Sequence, residues 1–169
     1  MKRITITLLA ASVLMFATPT VFAAGTNPYG ISTVDPAGPN EAILVLSKGK
    51  KIDKLTFKSL LKVKSSTISI YEPFLKKRQT FTAIPLKTLF DMVGIKGSDQ
   101  VSTIALNDYI FKATASQFVT AQGLLAVKSN GSKINYDRGG PIRIIFPDSS
   151  RWANNLDAWN WSIAAISAK

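Results

Sequence analysis

Apolar residues in this chain fall into short runs with two spacings, and the spacings predict its elements. Ile43-Leu44-Val45-Leu46 is continuous and predicts a first strand covered on both faces. Phe57, Leu60 and Leu61 lie at i, i+3 and i+4 behind Thr56, a favourable cap, and predict a short helix. Residues 65–71 alternate, with Ile68 and Ile70 to one side and Thr67, Ser69 and Tyr71 to the other, as in a half-buried strand. Residues 73–80 read as a basic loop, and 81–84 as a short extended piece. Leu86, Leu89, Phe90 and Val93 then make an i, i+3, i+4, i+7 stripe. Pro85 stands at the predicted first helical position, and Gly94 is the expected stop.

Further along, residues 101–106 and 109–113 predict two strands around an Asn107-Asp108 turn. Thr114 and Gln117 fit a capping box that opens a short helix carrying Phe118 and Val119 inward. Residues 124–128 predict another strand, and Asn130-Gly131 is the strongest hairpin signal in the chain. Asn130-Gly131-Ser132 also matches a glycosylation acceptor, but the turn is the simpler reading. Gly139-Gly140-Pro141 stops what precedes it, and Ile142, Ile144, Ile145 and Phe146 predict an inner strand across 142–146. Arg143 interrupts that run. A guanidinium among isoleucines needs a partner or a route to water, so the plain reading puts it on the wetter face of a half-buried strand. The other reading is a ligand contact. Residues 159–166 close the chain as a strand with Trp161, Ile163 and Ala165 on one face. About seven strands and three short helices result, which is an α+β domain dominated by its sheet.

Composition adds an address. Lys2 and Arg3, an apolar stretch over 4–17, Pro19 and then Val21-Phe22-Ala23 predict a signal peptide over residues 1–23. Residues 24–40 read as an irregular lead-in and 41–169 as one domain, with no later segment long and apolar enough to span a bilayer. The chain is expected to be exported, periplasmic or secreted. Its net charge is +11, and ten basic residues lie between Lys48 and Arg78 against only Asp53 and Glu72. The lysines are scattered through apparent elements without interleaved aromatics, so a solvated basic surface is expected and not a nucleic-acid interface. Such a surface also suits an acidic protein partner, for instance the sensing domain of a membrane receptor.

Two absences narrow the chemistry. The chain has no cysteine and no histidine. Disulfides, thiolate nucleophiles and imidazole bases are excluded, and zinc, copper or haem sites built on side-chain sulfur or nitrogen almost completely so. No spaced acidic loop supports calcium, and no Gly-x-Ser-x-Gly elbow supports a hydrolase.

The order of motifs in the second half then suggests a family. Gly140-Pro141-Ile142-Arg143-Ile144-Ile145-Phe146-Pro147, followed by a loop and Trp161-Ser162-Ile163-Ala164-Ala165-Ile166, resembles the closing segment of the molybdopterin-binding oxidoreductase domain of sulfite oxidases. The helix from Pro85 to Gly94, the Leu106–Tyr109 turn and the Asn130-Gly131 step fit the same order, and the similarity spans most of 41–168. The resemblance implies a sheet-dominated fold like the sulfite oxidase molybdopterin domain, in its small exported members. By resemblance alone it raises a molybdopterin cofactor, whose metal in catalytic relatives is held by the pterin and one protein cysteine; no bound cofactor is expected here. This chain has no such cysteine, carries Asp148-Ser149-Ser150 where a glycine commonly follows the second proline, and has Asn160 where a basic residue often precedes the final tryptophan. A non-catalytic binding or accessory domain is therefore the expectation. An oxidoreductase holding its cofactor without a thiolate is the alternative.

Eight residues are candidates for a ligand site, because the coarse topology puts them at strand ends. Asn107, Asp108 and Tyr109 share one turn, while Asp137, Arg138, Arg143, Arg151 and Trp152 bracket the strand at 142–146. The arginines could clamp a small anionic ligand with their planar forks, the aspartates could accept hydrogen bonds, and Tyr109 or Trp152 could offer a stacking face. The blander reading is turn chemistry for Asn107-Asp108 and a structural pairing of Asp137 with Arg138 or Arg143. No catalytic or metal-binding residue is predicted.

Overall fold

The computed structural model describes residues 37–169. The predicted signal segment and most of the lead-in lie outside the described residues. Nine strands and three α-helices occur among them. The strands are β1 (Ala42–Lys48), β2 (Lys51–Thr56), β3 (Ser66–Glu72), β4 (Lys77–Pro85), β5 (Gln100–Ala105), β6 (Ile110–Thr114), β7 (Leu124–Ser129), β8 (Arg143–Ile145) and β9 (Ile163–Ala168). The helices are α1 (Phe57–Leu60), α2 (Leu86–Val93) and α3 (Ala115–Thr120). One sheet runs β2-β1-β9-β5-β6, with β1 parallel to β9 and every other pair antiparallel. The second runs β3-β4-β7-β8, antiparallel throughout. A single apolar core joins them: Leu44 and Leu46 from the first sheet meet Ile70, Phe81 and Leu125 from the second, closed by Leu89, Phe90 and Phe118 of the helices.

Local signals hold where chemistry is local. Thr56 caps α1, its hydroxyl accepting from Ser59 N–H at 3.1 Å. Thr114 and Gln117 form the reciprocal capping box of α3. Gly94 ends α2 at φ 77°, a conformation that favours glycine. Pro85 closes β4 and caps α2 from just outside it, one residue earlier than expected. Asn130 and Gly131 both take positive φ, and Ser129 and Ser132 exchange backbone bonds across the turn. No strand continues beyond that turn. The chain instead passes through a 3₁₀ turn at Tyr136–Arg138, and β8 pairs with the far end of β7.

Several expectations need correction. β2 lies in the stretch left without a strand, because an edge strand carrying Lys51, Asp53 and Lys54 buries only Leu55 and so shows little apolar alternation. Residues 77–80 are strand and not loop: Gln79 shares a face with Phe81 and Ala83, and pairing to β3 outweighs the basic composition. Val119 is 39 % exposed, since successive helical positions turn by about 100° and Phe118 takes the inward one. In β9 the pairing slips between Ile104 and Ala105, so Ile163 and Ile166 are buried while Ala165 is only half-buried. β1 also differs in degree, with Leu44 and Leu46 buried and Ile43 and Val45 half-buried.

Gly140 fixes the loop that leads into β8. A Cβ there would lie 1.9 Å from the Ile134 carbonyl oxygen, so only glycine permits the close approach in which Gly140 N–H donates to Asn135 O at 2.9 Å. Gly139 takes φ 77° and packs against Trp161. These contacts set residues 134–138 beside the end of β4, where a cavity opens.

Candidate functional site

Arg143 is the key to that cavity, and it is not on a wetter face. It is 1 % exposed, and its Nη2 donates to Glu72 Oε1 at 2.8 Å; both side chains are almost wholly out of water. Its Nη1 reaches the Arg138 carbonyl at 3.4 Å, and the guanidinium lies 5.2 Å from the Trp161 ring centre and 6.0 Å from that of Phe81. Glu72 also accepts from Leu75 N–H, which ties it to the β3–β4 turn. A buried pair of this kind is costly to break from one side, because the remaining charge is left without compensation.

The cavity has a volume of about 230 Å³ and is walled by β4, the Asn130 turn, the 133–138 loop and β8. Four cationic residues line it, Lys77, Lys133, Arg138 and Arg143, beside the amides Gln79, Asn130 and Asn135. None of its lining residues is acidic. The Gln79 carboxamide oxygen is held by Ser129 Oγ and Asn130 Nδ2, both at 3.1 Å, which makes that wall stiff. Lys133 also sets its ammonium 5.0 Å from the Phe57 ring centre.

A second cavity, about 260 Å³, opens where β5, β6 and β9 end. Phe74, Tyr109, Leu156, Trp159 and Trp161 form its apolar surface, with Asn107, Asp157 and Asn160 as polar members. Phe74 and Trp161 meet edge to face with ring centres 4.2 Å apart. Tyr109 Oη donates to the Asp157 carbonyl at 3.1 Å, and burial, with Asp157 adding to it, holds the phenol above its usual range. Asn160 is 2 % exposed; its Nδ2 donates to Thr103 O at 2.9 Å and Thr103 Oγ1 at 3.2 Å. Trp161 lines this cleft and stacks near Arg143, which lines the other, so one side-chain contact links the two hollows.

The eight candidate residues are thus divided. Arg138 and Arg143 meet in the basic cavity, and Asn107 and Tyr109 in the aromatic one. Asp108 sits at φ 64° with its N–H on the Ala105 carbonyl, a turn residue that lines neither. Asp137 is exposed in the 3₁₀ turn beside Arg138. Trp152 packs into the core cluster of Phe111, Phe118 and Phe146, and Arg151 covers it at 5.5 Å. Sequence reasoning did not find Glu72, although extending the Ile68, Ile70 alternation by one step places it on the buried face. Lys133 and Asp157 carry no comparable signal. A third hollow, about 390 Å³ between α2 and α3, contains none of the candidates. Among the described residues no helix is long and apolar enough to cross a membrane.

Comparison with known proteins supports this architecture. The sulfane dehydrogenase SoxCD of Paracoccus pantotrophus superimposes with a TM-score of 0.61 at 14 % identity, over 80 % of this chain and 39 % of that one. The likeness is one of fold, and this chain spans about two fifths of the length of that structure. No curated protein sequence matches. Residues 54–156, more than half of the chain, match the family described as oxidoreductase molybdopterin binding domain. By that match, and with the two-sheet architecture in agreement, the chain belongs to the oxidoreductase molybdopterin-binding domain family.

Proposed function

We propose that this chain is an exported, non-catalytic binding domain that receives a small anion in the basic cavity. The observation that carries the reading is the cavity wall itself: four cationic side chains, amide donors, and no acid facing in. Glu72 fixes Arg143 from behind, so a guanidinium is held in place before any ligand arrives, which lowers the ordering cost of binding. Lys77, Lys133 and Arg138 are exposed and can close on a phosphate or carboxylate.

The family name raises molybdopterin, and the donor set answers only part of it. With neither cysteine nor histidine in the chain, the protein offers no thiolate or imidazole ligand to molybdenum. Among the described residues no group of three acidic, histidine or cysteine side chains could hold a metal ion. These residues do not fit a thiolate-held molybdenum centre. They do suit the phosphate of an organic cofactor or of another small molecule. The exposed Lys76 and Lys77 would also face an acidic protein partner, with Arg78 already engaged by Asp148 at 2.6 Å.

The test is purification of native protein from the exported fraction, with elemental analysis and mass spectrometry of whatever remains bound. The reading expects a phosphorylated or carboxylated compound and molybdenum far below one atom per chain. One molybdenum per chain with turnover of an oxyanion substrate overturns it.

A further inference from the structure

The second cavity calls for the opposite chemistry. We infer that the aromatic cleft is a separate site for a small organic cation, an ammonium or guanidinium on an apolar body. Asp157 is the one charged residue that lines the cleft, in a chain with 21 basic residues against 10 acidic ones. Among the described residues Asp157 forms no ion pair. Phe74, Tyr109 and Trp161 supply aromatic surface beside it, and a cation over such rings is drawn to their negative faces.

The hydrogen-bonding inventory favours a donor ligand. The Asn160 amide is turned so that Nδ2 is held by Thr103, and its buried Oδ1 accepts no hydrogen bond among the described residues. The Tyr109 proton is directed at the Asp157 carbonyl, which leaves the phenol oxygen to accept. The Asn107 carboxamide oxygen is engaged by Tyr109 N–H at 3.3 Å. A carboxylate residue and a phenol oxygen thus line one hollow with aromatic surface, and the Asn160 Oδ1 lies unpartnered in its wall, a set that suits an ammonium and not an anion. Arg143 lies on the far side of the Trp161 contact, lining the basic cavity and paired with Glu72, and is not among the residues that line the cleft. The proposal stands on residues other than those of the basic cavity, so either can fail alone.

Benzylammonium is the probe and benzyl alcohol its neutral twin, titrated into the full chain by calorimetry, with tryptophan fluorescence as a second readout. Saturable binding of the amine, about tenfold tighter than the alcohol, is expected from cation–π and carboxylate contacts together. Asp157→Asn should weaken the amine about five- to tenfold at low salt and leave the alcohol unchanged. Asp157 is exposed, so the variant should keep the parent's unfolding midpoint and remain a fair comparison. Pyrophosphate binding should not respond to this substitution. Equal affinity for amine and alcohol, an amine affinity indifferent to Asp157→Asn, or no saturable binding would each overturn the inference.

Discussion

The two cavities are linked by the contact between Trp161 and Arg143 and share no lining residue. One presents four cationic residues and none that is acidic; the other presents a single carboxylate, four aromatic residues and no cation. Their walls differ in kind as well. The basic cavity is framed by a strand, a tight turn and a loop whose position is dictated by Gly140, and its deepest charge is braced by a buried acid. The aromatic cleft is framed by strand ends and a 3₁₀ turn at Leu156–Ala158, and its polar groups are held by backbone carbonyls and Thr103. Net charge says nothing of this division. A strongly basic chain can still keep an acceptor-rich hollow, because the field inside a cleft is set by the few groups that face it.

The strongest way to disturb the comparison is to remove the brace. Glu72→Gln leaves the Arg143 guanidinium buried without its counter-charge, and global stability should fall by about 3–5 kcal/mol in denaturant titration. Replacing both partners with apolar residues of similar volume should restore most of that loss, since well-packed apolar substitutes for a buried pair are often neutral or stabilising by about 1–4 kcal/mol. If the single variant unfolds at the parent's midpoint, Glu72 does not carry the role assigned to it.

A cleaner separation comes from the rim. Lys133→Ala with Arg138→Ala should weaken pyrophosphate binding at least about tenfold, through lost charge-assisted hydrogen bonds. Stability should stay within about 1 kcal/mol of the parent, since both residues are exposed and little beyond the Lys133–Phe57 contact is lost. Retained affinity in calorimetry would remove the basic cavity from the account. In the aromatic cleft, Tyr109→Phe should cost about 0.5–1.5 kcal/mol of stability by deleting the bond to the Asp157 carbonyl. It should also remove a phenol whose spectrophotometric titration begins above the usual tyrosine range.

The smallest effect concerns pH and touches neither hollow. The Lys48 ammonium and the Lys96 N–H hold Asp99 below the ordinary carboxylate range, while the Tyr71 N–H and then Arg78 do the same for Asp148. Groups depressed on folding contribute stability that is complete above their unfolded value and is lost as pH falls through the folded one. Both contributions should therefore be intact above pH about 4 and fade below it, and Asp99→Asn or Asp148→Asn should flatten that acid limb. A pH–stability profile between pH 2 and 6 that is unchanged in both variants would contradict the assignment.

How much of this was legible depended on the distance between partners. The Pro85–Gly94 helix, the Thr114–Gln117 capping box and the Asn130-Gly131 turn rest on contacts within a few residues, and their signals are readable in the chain. The family order was readable too, and residues 54–156 match it. Arg143 was misplaced because its partner lies 71 residues earlier, at the opposite edge of the same sheet with β4 and β7 between them. β2 and the first half of β4 were hidden by lysines, which edge strands and exposed faces carry without loss of pairing. The candidate site was read as one cluster because strand ends were treated as one place. Trp161, which stood out in the closing strand and in the family motif, links the two groups through its contact with Arg143.

The division is tested most directly by cross-titration, with pyrophosphate measured calorimetrically against the parent chain, Arg138→Glu and Asp157→Asn under matched low salt. The account predicts stoichiometric binding to the parent, a loss of at least about tenfold in Arg138→Glu, and an unchanged affinity in Asp157→Asn. Binding that ignores the arginine reversal, or that responds equally to both substitutions, would contradict it.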